Sequence, residues 1–316
     1  MPNRRTFLIT VLAASLMPMA SMAQDKLPVV ASFSILGDMV KRVGGDRVAV
    51  TTLVGPDGDA HVFQPTPADA RAVSNAEILF VNGLGFEGWI DRLIDASGYL
   101  GPIVVATSAI SPLSTEDAHD EHEDDEHEEH AHEDHADHDH GDLDPHAWQS
   151  LANAKLYVAT IAHALSDLDP EGADTYTANR DAYLSDIDAL EIEVRQAIES
   201  FPKDQLKIVT SHDAFGYFTR DYGLEFIAPQ GVSTESEASA AEVAALIRQI
   251  RDEKIAAVFV ENITDERLLR QIADETDASV GGTLYSGALS GPEGPAPTYL
   301  DMMRHNIRTL ASALSS

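Results

Sequence analysis

The sequence predicts an α/β protein of two βα lobes, each with a central, mostly parallel sheet, joined by one long rigid helix and facing each other across a cleft. Three observations predict it. Short β-branched runs alternate with helical patterns before residue 107, and the same alternation resumes after residue 206. Between them, Tyr176, Tyr183, Ile187, Leu190, Val194 and Ile198 mark one face of a helix of about thirty residues, ~45 Å long at about 1.5 Å per residue. The division that follows is a signal peptide at 1–23, a first lobe at 24–169, a linking spine at 170–201 and a second lobe at 202–316.

The elements follow in order. Leu27 to Phe33 reads as a strand, Ile35 to Val43 as a helix stopped by Gly44-Gly45, and Val48 to Val54 as a second strand. A turn-rich loop, Gly55 to Pro65, leads to a helix at Thr66 to Ala76, with Thr66 as cap and Pro67 at its first position. Strands at Ile78 to Val81 and Ile103 to Ala106 flank a helix near Glu87 to Ala96. A helix from Trp148 to Leu168 closes the first lobe. Pro170 begins the spine and Pro202 ends it. In the second lobe, strands at Lys207 to Thr210, Leu224 to Ile227, Ala256 to Val260 and Ser279 to Leu284 alternate with helices. These span Ala214 to Asp221, Ala240 to Glu253, Asp265 to Thr276 and Thr298 to Leu314.

Before all of this, Arg4-Arg5, an apolar stretch from Phe7 to Ala20 and Ser21-Met22-Ala23 read as a signal peptide. The apolar run is short for a membrane span. Arg4-Arg5-Thr6-Phe7-Leu8 fits a twin-arginine export signal as well as an ordinary secretory one. Export implies the periplasm in a Gram-negative cell. There is no cysteine, so disulfides, thiolate ligands and lipidated cysteine are excluded, and a soluble monomer is expected.

The chain carries a formal net charge of −32, which argues against nucleic acid as a partner and suits a cation. Half of that charge lies in one stretch. Glu116 to Asp144 holds 16 acidic residues and 8 histidines, with no lysine or arginine. Without apolar periodicity the stretch cannot bury a face. Imidazole binds zinc, copper or nickel, and an inert linker would not explain the histidines. His119, His122, His127, His130, His132, His135, His138 and His140 are therefore candidate auxiliary, weaker metal ligands on a mobile loop.

Five histidines lie elsewhere. His61 follows the second strand, His146 follows Asp144-Pro145 at the end of the acidic stretch, and His212 follows the first strand of the second lobe. Ligands collect at the carboxyl ends of strands in open α/β sheets, and three imidazoles are a common zinc set. Facing lobes would bring these three to one cleft. His163 and His305 fall within helical patterns and are read as structural or surface residues.

The motifs H-V-F-Q-P-T-P, D-P-H-A-W, S-H-D-A-F-G-Y-F, F-V-E-N-I-T and G-P-A-P-T-Y-L-D-M-M-R-H-N resemble those of the metal-binding solute receptors of zinc and manganese ABC transporters, the ZnuA/TroA-like family. The likeness runs over nearly the whole mature chain. It implies a metal held between two lobes by His61, His146 and His212, and a His-rich insertion fits the zinc-binding members. It also implies an acidic fourth ligand where this chain has Gly287, which cannot coordinate. Water, or a carboxylate from Glu235, Glu237 or Asp301, could stand in, or the chain is a variant with a weakened site; water is the expected donor. Asp59, Asp144 and Glu261 are expected to orient the imidazoles.

The expected function is capture of Zn2+ outside the cytoplasm and its delivery to the membrane permease of an ABC importer, with a periplasmic metallochaperone as a further candidate partner. Affinity should fall as pH drops through about 6.5. Two alternatives stay open. A three-histidine zinc with a bound water could be a hydrolase, although H-E-x-x-H and a placed general base are absent. The acidic stretch alone could serve as a zinc buffer.

Overall fold

The computed structural model describes residues 25–115, 143–203 and 205–314. The export signal and the eight histidines from His119 to His140 lie outside these residues.

The first sheet comprises β1 (Leu27–Phe33), β2 (Val48–Val54), β3 (Ile78–Val81) and β4 (Ile103–Val105), all parallel, in the order β2-β1-β3-β4. Helices α1 (Ser34–Gly44), α2 (Pro67–Ser74) and α3 (Ile90–Ser97) connect them. The second sheet repeats the pattern with β5 (Lys207–Val209), β6 (Glu225–Ile227), β7 (Ala257–Glu261) and β8 (Ser279–Leu284), in the order β6-β5-β7-β8. Its helices are α6 (Gly216–Tyr222), α7 (Ala240–Glu253), α8 (Arg267–Asp274) and the closing α9 (Tyr299–Leu314). The central strands read as unbroken apolar runs because helices cover both faces; β3 and β7 are buried at every position. In each sheet the strand order reverses beside its first strand, and ligands of open α/β sheets gather at such a crevice.

Between the sheets run α4 (Leu151–Leu168), a single 3-10 turn at Pro170–Gly172 and the 27-residue α5 (Ala173–Glu199). The apolar face of α5 is the expected one: Tyr176, Tyr183, Ile187, Leu190 and Val194 are buried. It packs on α1 and α4 of the first lobe and α9 of the second, so it braces both. Ion pairs from Arg42 to Asp186, Lys155 to Asp188 and Arg304 to Glu193 line its polar side. Such exposed pairs contribute little each, so the apolar face carries the docking.

Helices α3 and α4 each start three residues later than the sequence predicts, for the same reason. α3 begins at Ile90 because Glu87 turns back: its carboxylate accepts from Ser32 Oγ at 2.5 Å, Asn82 N at 2.7 Å and Gly83 N at 3.2 Å. α4 begins at Leu151, capped by Ser150, because Trp148 and Gln149 turn outward to donate to Ser286 O of the second lobe, each at 2.8 Å. At both places a tertiary hydrogen bond outweighs helix continuation.

Glu87 is fully enclosed, and burial raises its pKa while its three donors oppose that. Glu87→Ala would leave those donors unpaired, and we expect unfolding by urea or heat to show a loss of roughly 2–5 kcal/mol. A change below about 0.5 kcal/mol would mean that the network is dispensable.

Candidate metal centre

His61 sits in the loop after β2. Asp59 Oδ1 accepts from its backbone N at 2.9 Å, and Trp89 Nε1 donates to the neighbouring Ala60 O at 2.7 Å. His146 ends the Asp144-Pro145 approach, and Asp144 Oδ1 receives both its backbone N at 2.8 Å and its ring Nδ1 at 2.9 Å. His212 follows β5 at the point where the second sheet changes direction. Glu261, the last residue of the adjacent β7, accepts from Ser211 N and His212 N through Oε1 and sets Oε2 2.7 Å from His212 Nδ1. That last contact is short but poorly aligned for a straight hydrogen bond, so charge attraction dominates it.

The structure brings the three predicted histidines together. One ring nitrogen from each lies within 4.8 Å of the others, and all three residues are buried. His61 Nε2 is 3.2 Å from His146 Nε2, and His212 Nε2 has no hydrogen-bond partner among the described residues. Because Nδ1 of His146 is bound to a carboxylate, its Nε2 is left with a lone pair facing inward. Facing nitrogen lone pairs are unfavourable unless a proton or a cation lies between them.

Electrostatics divide the three. Burial, reinforced by the other two imidazoles, lowers the His61 pKa to about 2. Burial also drives His146 well below its ordinary value, and pushes Asp144 up to about 6. His212 goes the other way: burial opposes its charge, but the Glu261 carboxylate outweighs burial and raises it. Glu261 is correspondingly lowered despite complete burial.

The surroundings are apolar. The Phe86 ring meets His61 with centroids 4.7 Å apart, and Trp148 meets His146 at 5.3 Å. Gly216, at the start of α6, faces Asp144: a Cβ there would lie 2.6 Å from Asp144 Oδ2. The second lobe thus backs the carboxylate that orients a first-lobe imidazole.

Two of the three expected orienting carboxylates, Asp144 and Glu261, stand at ring nitrogens. Asp59 does not. It takes the backbone of His61 with one oxygen and the Thr234 hydroxyl, at 2.6 Å, with the other. Among the described residues no carboxylate joins the imidazole group. Asp301 caps α9 with Thr298, and Glu235 and Glu237 are exposed in the loop after β6. Gly287 follows β8, and a Cβ on it would meet Ile263 Cδ1 at 2.9 Å. His163 is exposed on α4 beside Asp167, and His305 on α9 contacts Thr283 O, as their helical patterns suggest.

Sequence reasoning missed Phe86, Glu87 and Thr234. The first two lie in a G-F-E-G-W turn whose composition is that of any apolar turn. The third is one hydroxyl in a polar loop. Only tertiary contacts distinguish them.

The chain is 32% identical over 292 residues to the manganese-binding lipoprotein MntA of Halalkalibacterium halodurans, covering 92% of this chain and 89% of the relative. It is 31% identical to the iron-binding protein YfeA of Yersinia pestis, covering 98% and 95%. Its fold superposes on the periplasmic zinc-binding protein TroA of Treponema pallidum with a TM-score of 0.80 at 28% identity, covering 92% of this chain and 99% of that one. Residues 29–313 match the family described as zinc-uptake complex component A, periplasmic. The chain belongs to this ZnuA family, the metal-binding receptors of ABC transporters, and is a binding protein rather than an enzyme.

Proposed function

We propose that the chain captures zinc on the outer side of the cytoplasmic membrane with His61, His146 and His212, and surrenders it to a permease as a monomer. The supporting observation is the donor set: three buried imidazole nitrogens within 4.8 Å, joined by no carboxylate among the described residues. Imidazole suits zinc, whereas manganese prefers oxygen-rich shells. Two nitrogens about 2.05 Å from one tetrahedral zinc lie roughly 3.3 Å apart, close to the 3.2 Å between His61 and His146. A water completes the tetrahedron, and the His-rich stretch serves as a weaker antenna. The relatives named for manganese and iron make the choice of metal the point to test.

Competition titration of the mature protein should give one tight zinc site and weaker manganese binding, and removing residues 116–142 should leave that site in place. Equal or tighter manganese binding would overturn the zinc reading. Loss of the tight site on trimming would favour a buffer built from the acidic stretch.

The fourth position gives a second expectation. The Gly287 backbone is not among the positive-φ positions, so a side chain is permitted there if Ile263 Cδ1 gives way. Gly287→Asp should tighten zinc binding by adding a carboxylate donor. An unchanged or weaker constant would place that position outside coordination reach.

Acidification gives a third. In the metal-free protein His212 keeps a proton to a pH above the ordinary 6.5, whereas His61 and His146 are already neutral. Above pH about 6, where Asp144 is ionised, one proton, not three, must leave on binding. Apparent zinc affinity should therefore fall by about tenfold per pH unit below the His212 pKa. Glu261→Gln should move the onset to lower pH. A slope near three protons would contradict this assignment.

A further inference from the structure

Two of the three imidazoles are held at the ring, His146 by Asp144 and His212 by Glu261. His61 is not: among the described residues its ring has only His146 as a polar partner, and its position is set through its backbone by Asp59. The other oxygen of Asp59 accepts from Thr234 Oγ1 at 2.6 Å, across 175 positions of sequence and from the opposite lobe. The segment carrying Thr234 is itself fixed to His212. His212 pairs with Gln230 in an isolated parallel bridge, and Asp213 N donates to Gln230 O at 3.1 Å and Gly231 O at 3.2 Å. Residues 230–234 therefore run as a strap from the turn that bears His212 to the turn that bears His61.

We infer that Thr234 is a positioning residue that sets how long the metal stays, by clasping Asp59 and so holding the His61 turn against the second lobe. This rests on the proposed three-imidazole site and adds a residue that touches no metal. The role belongs to this hydroxyl rather than to lobe closure in general. The same His61 loop is also tied down nearer its start, where Asp57 N donates to Leu289 O at 2.8 Å and Asn262 Nδ2 donates to Asp57 Oδ1 at 3.1 Å. With those bonds intact, loss of the Thr234 hydroxyl unties Asp59 and the His61 turn from the second lobe, while Trp89 still holds Ala60 O and the lobes stay apposed. Thr234 is only half-buried, so its removal opens no core cavity.

The test is stopped-flow transfer of zinc from the loaded mature protein to an excess of chelator, with Thr234→Val, Thr234→Ser and wild type. The valine variant keeps the shape and lacks the hydroxyl; the serine variant restores it. We expect Thr234→Val to release zinc roughly tenfold faster or more, the scale of one hydrogen bond to a charged acceptor, with an unchanged association rate and an unchanged melting temperature of the metal-free form. Thr234→Ser should return the release rate to near wild type. Equal release rates for Thr234→Val and wild type overturn the clasp. So does faster release that serine fails to rescue, which would assign the effect to packing. Failure of the wild type to retain zinc at all would instead sink the zinc site on which the clasp depends.

Discussion

A neutral imidazole aims its lone pair at a fixed point when its other nitrogen is held, and at His146 and His212 buried carboxylates do the holding. Asp144 and Glu261 cost free energy to bury, yet each accepts backbone N–H groups as well as facing a ring. Much of the surrounding architecture exists to make those two burials tolerable. β7 ends on Glu261 beside β5, at the reversal of strand order. Tyr217 of α6 donates to Asp144 O, and Gly216 leaves room for its carboxylate. The two sites are unlike in charge: burial prevails at Asp144 and His146, whereas attraction prevails at Glu261 and His212.

The lobes share one apolar core and meet through hydrogen bonds between turns, with no shared sheet among the described residues. Ser286 O receives Trp148 Nε1 and Gln149 Nε2, Leu289 N donates to Ser34 Oγ, and Tyr299 OH donates to Trp148 O. Trp148 is thus fixed by the second lobe at its indole and its carbonyl while its ring walls His146. α5 limits how far the lobes can move, since it packs on helices from both.

Much of this was legible in the residues. The parallel strands announce themselves as short β-branched runs, and the α5 face as a helical period. His61, His146 and His212 stood out because turn-rich loops after strands are where side chains converge. What failed to show was which partner each polar side chain around the three histidines would take. The placement of Asp59 illustrates it: proximity in sequence suggested a ring partner, but a carboxylate two residues before a turn histidine reaches the backbone amide more easily, as an Asx turn does. Asp144 has the same spacing from His146, yet its oxygen reaches both the amide and the ring. Spacing alone therefore does not decide the role. Thr234 was invisible for the same reason, being one polar residue in a loop until its partner 175 positions away is known.

The absent side chain at Gly216 has a consequence for delivery. Because the second lobe leans its backbone directly against Asp144, the orientation of His146 is a property of the pair of lobes and not of either alone. A partner that draws the lobes apart would expose Asp144 to water and unfix the imidazole in front of it. At the proposed site, leverage applied at the protein's outer surfaces would then loosen the metal without any group of the partner entering the cleft.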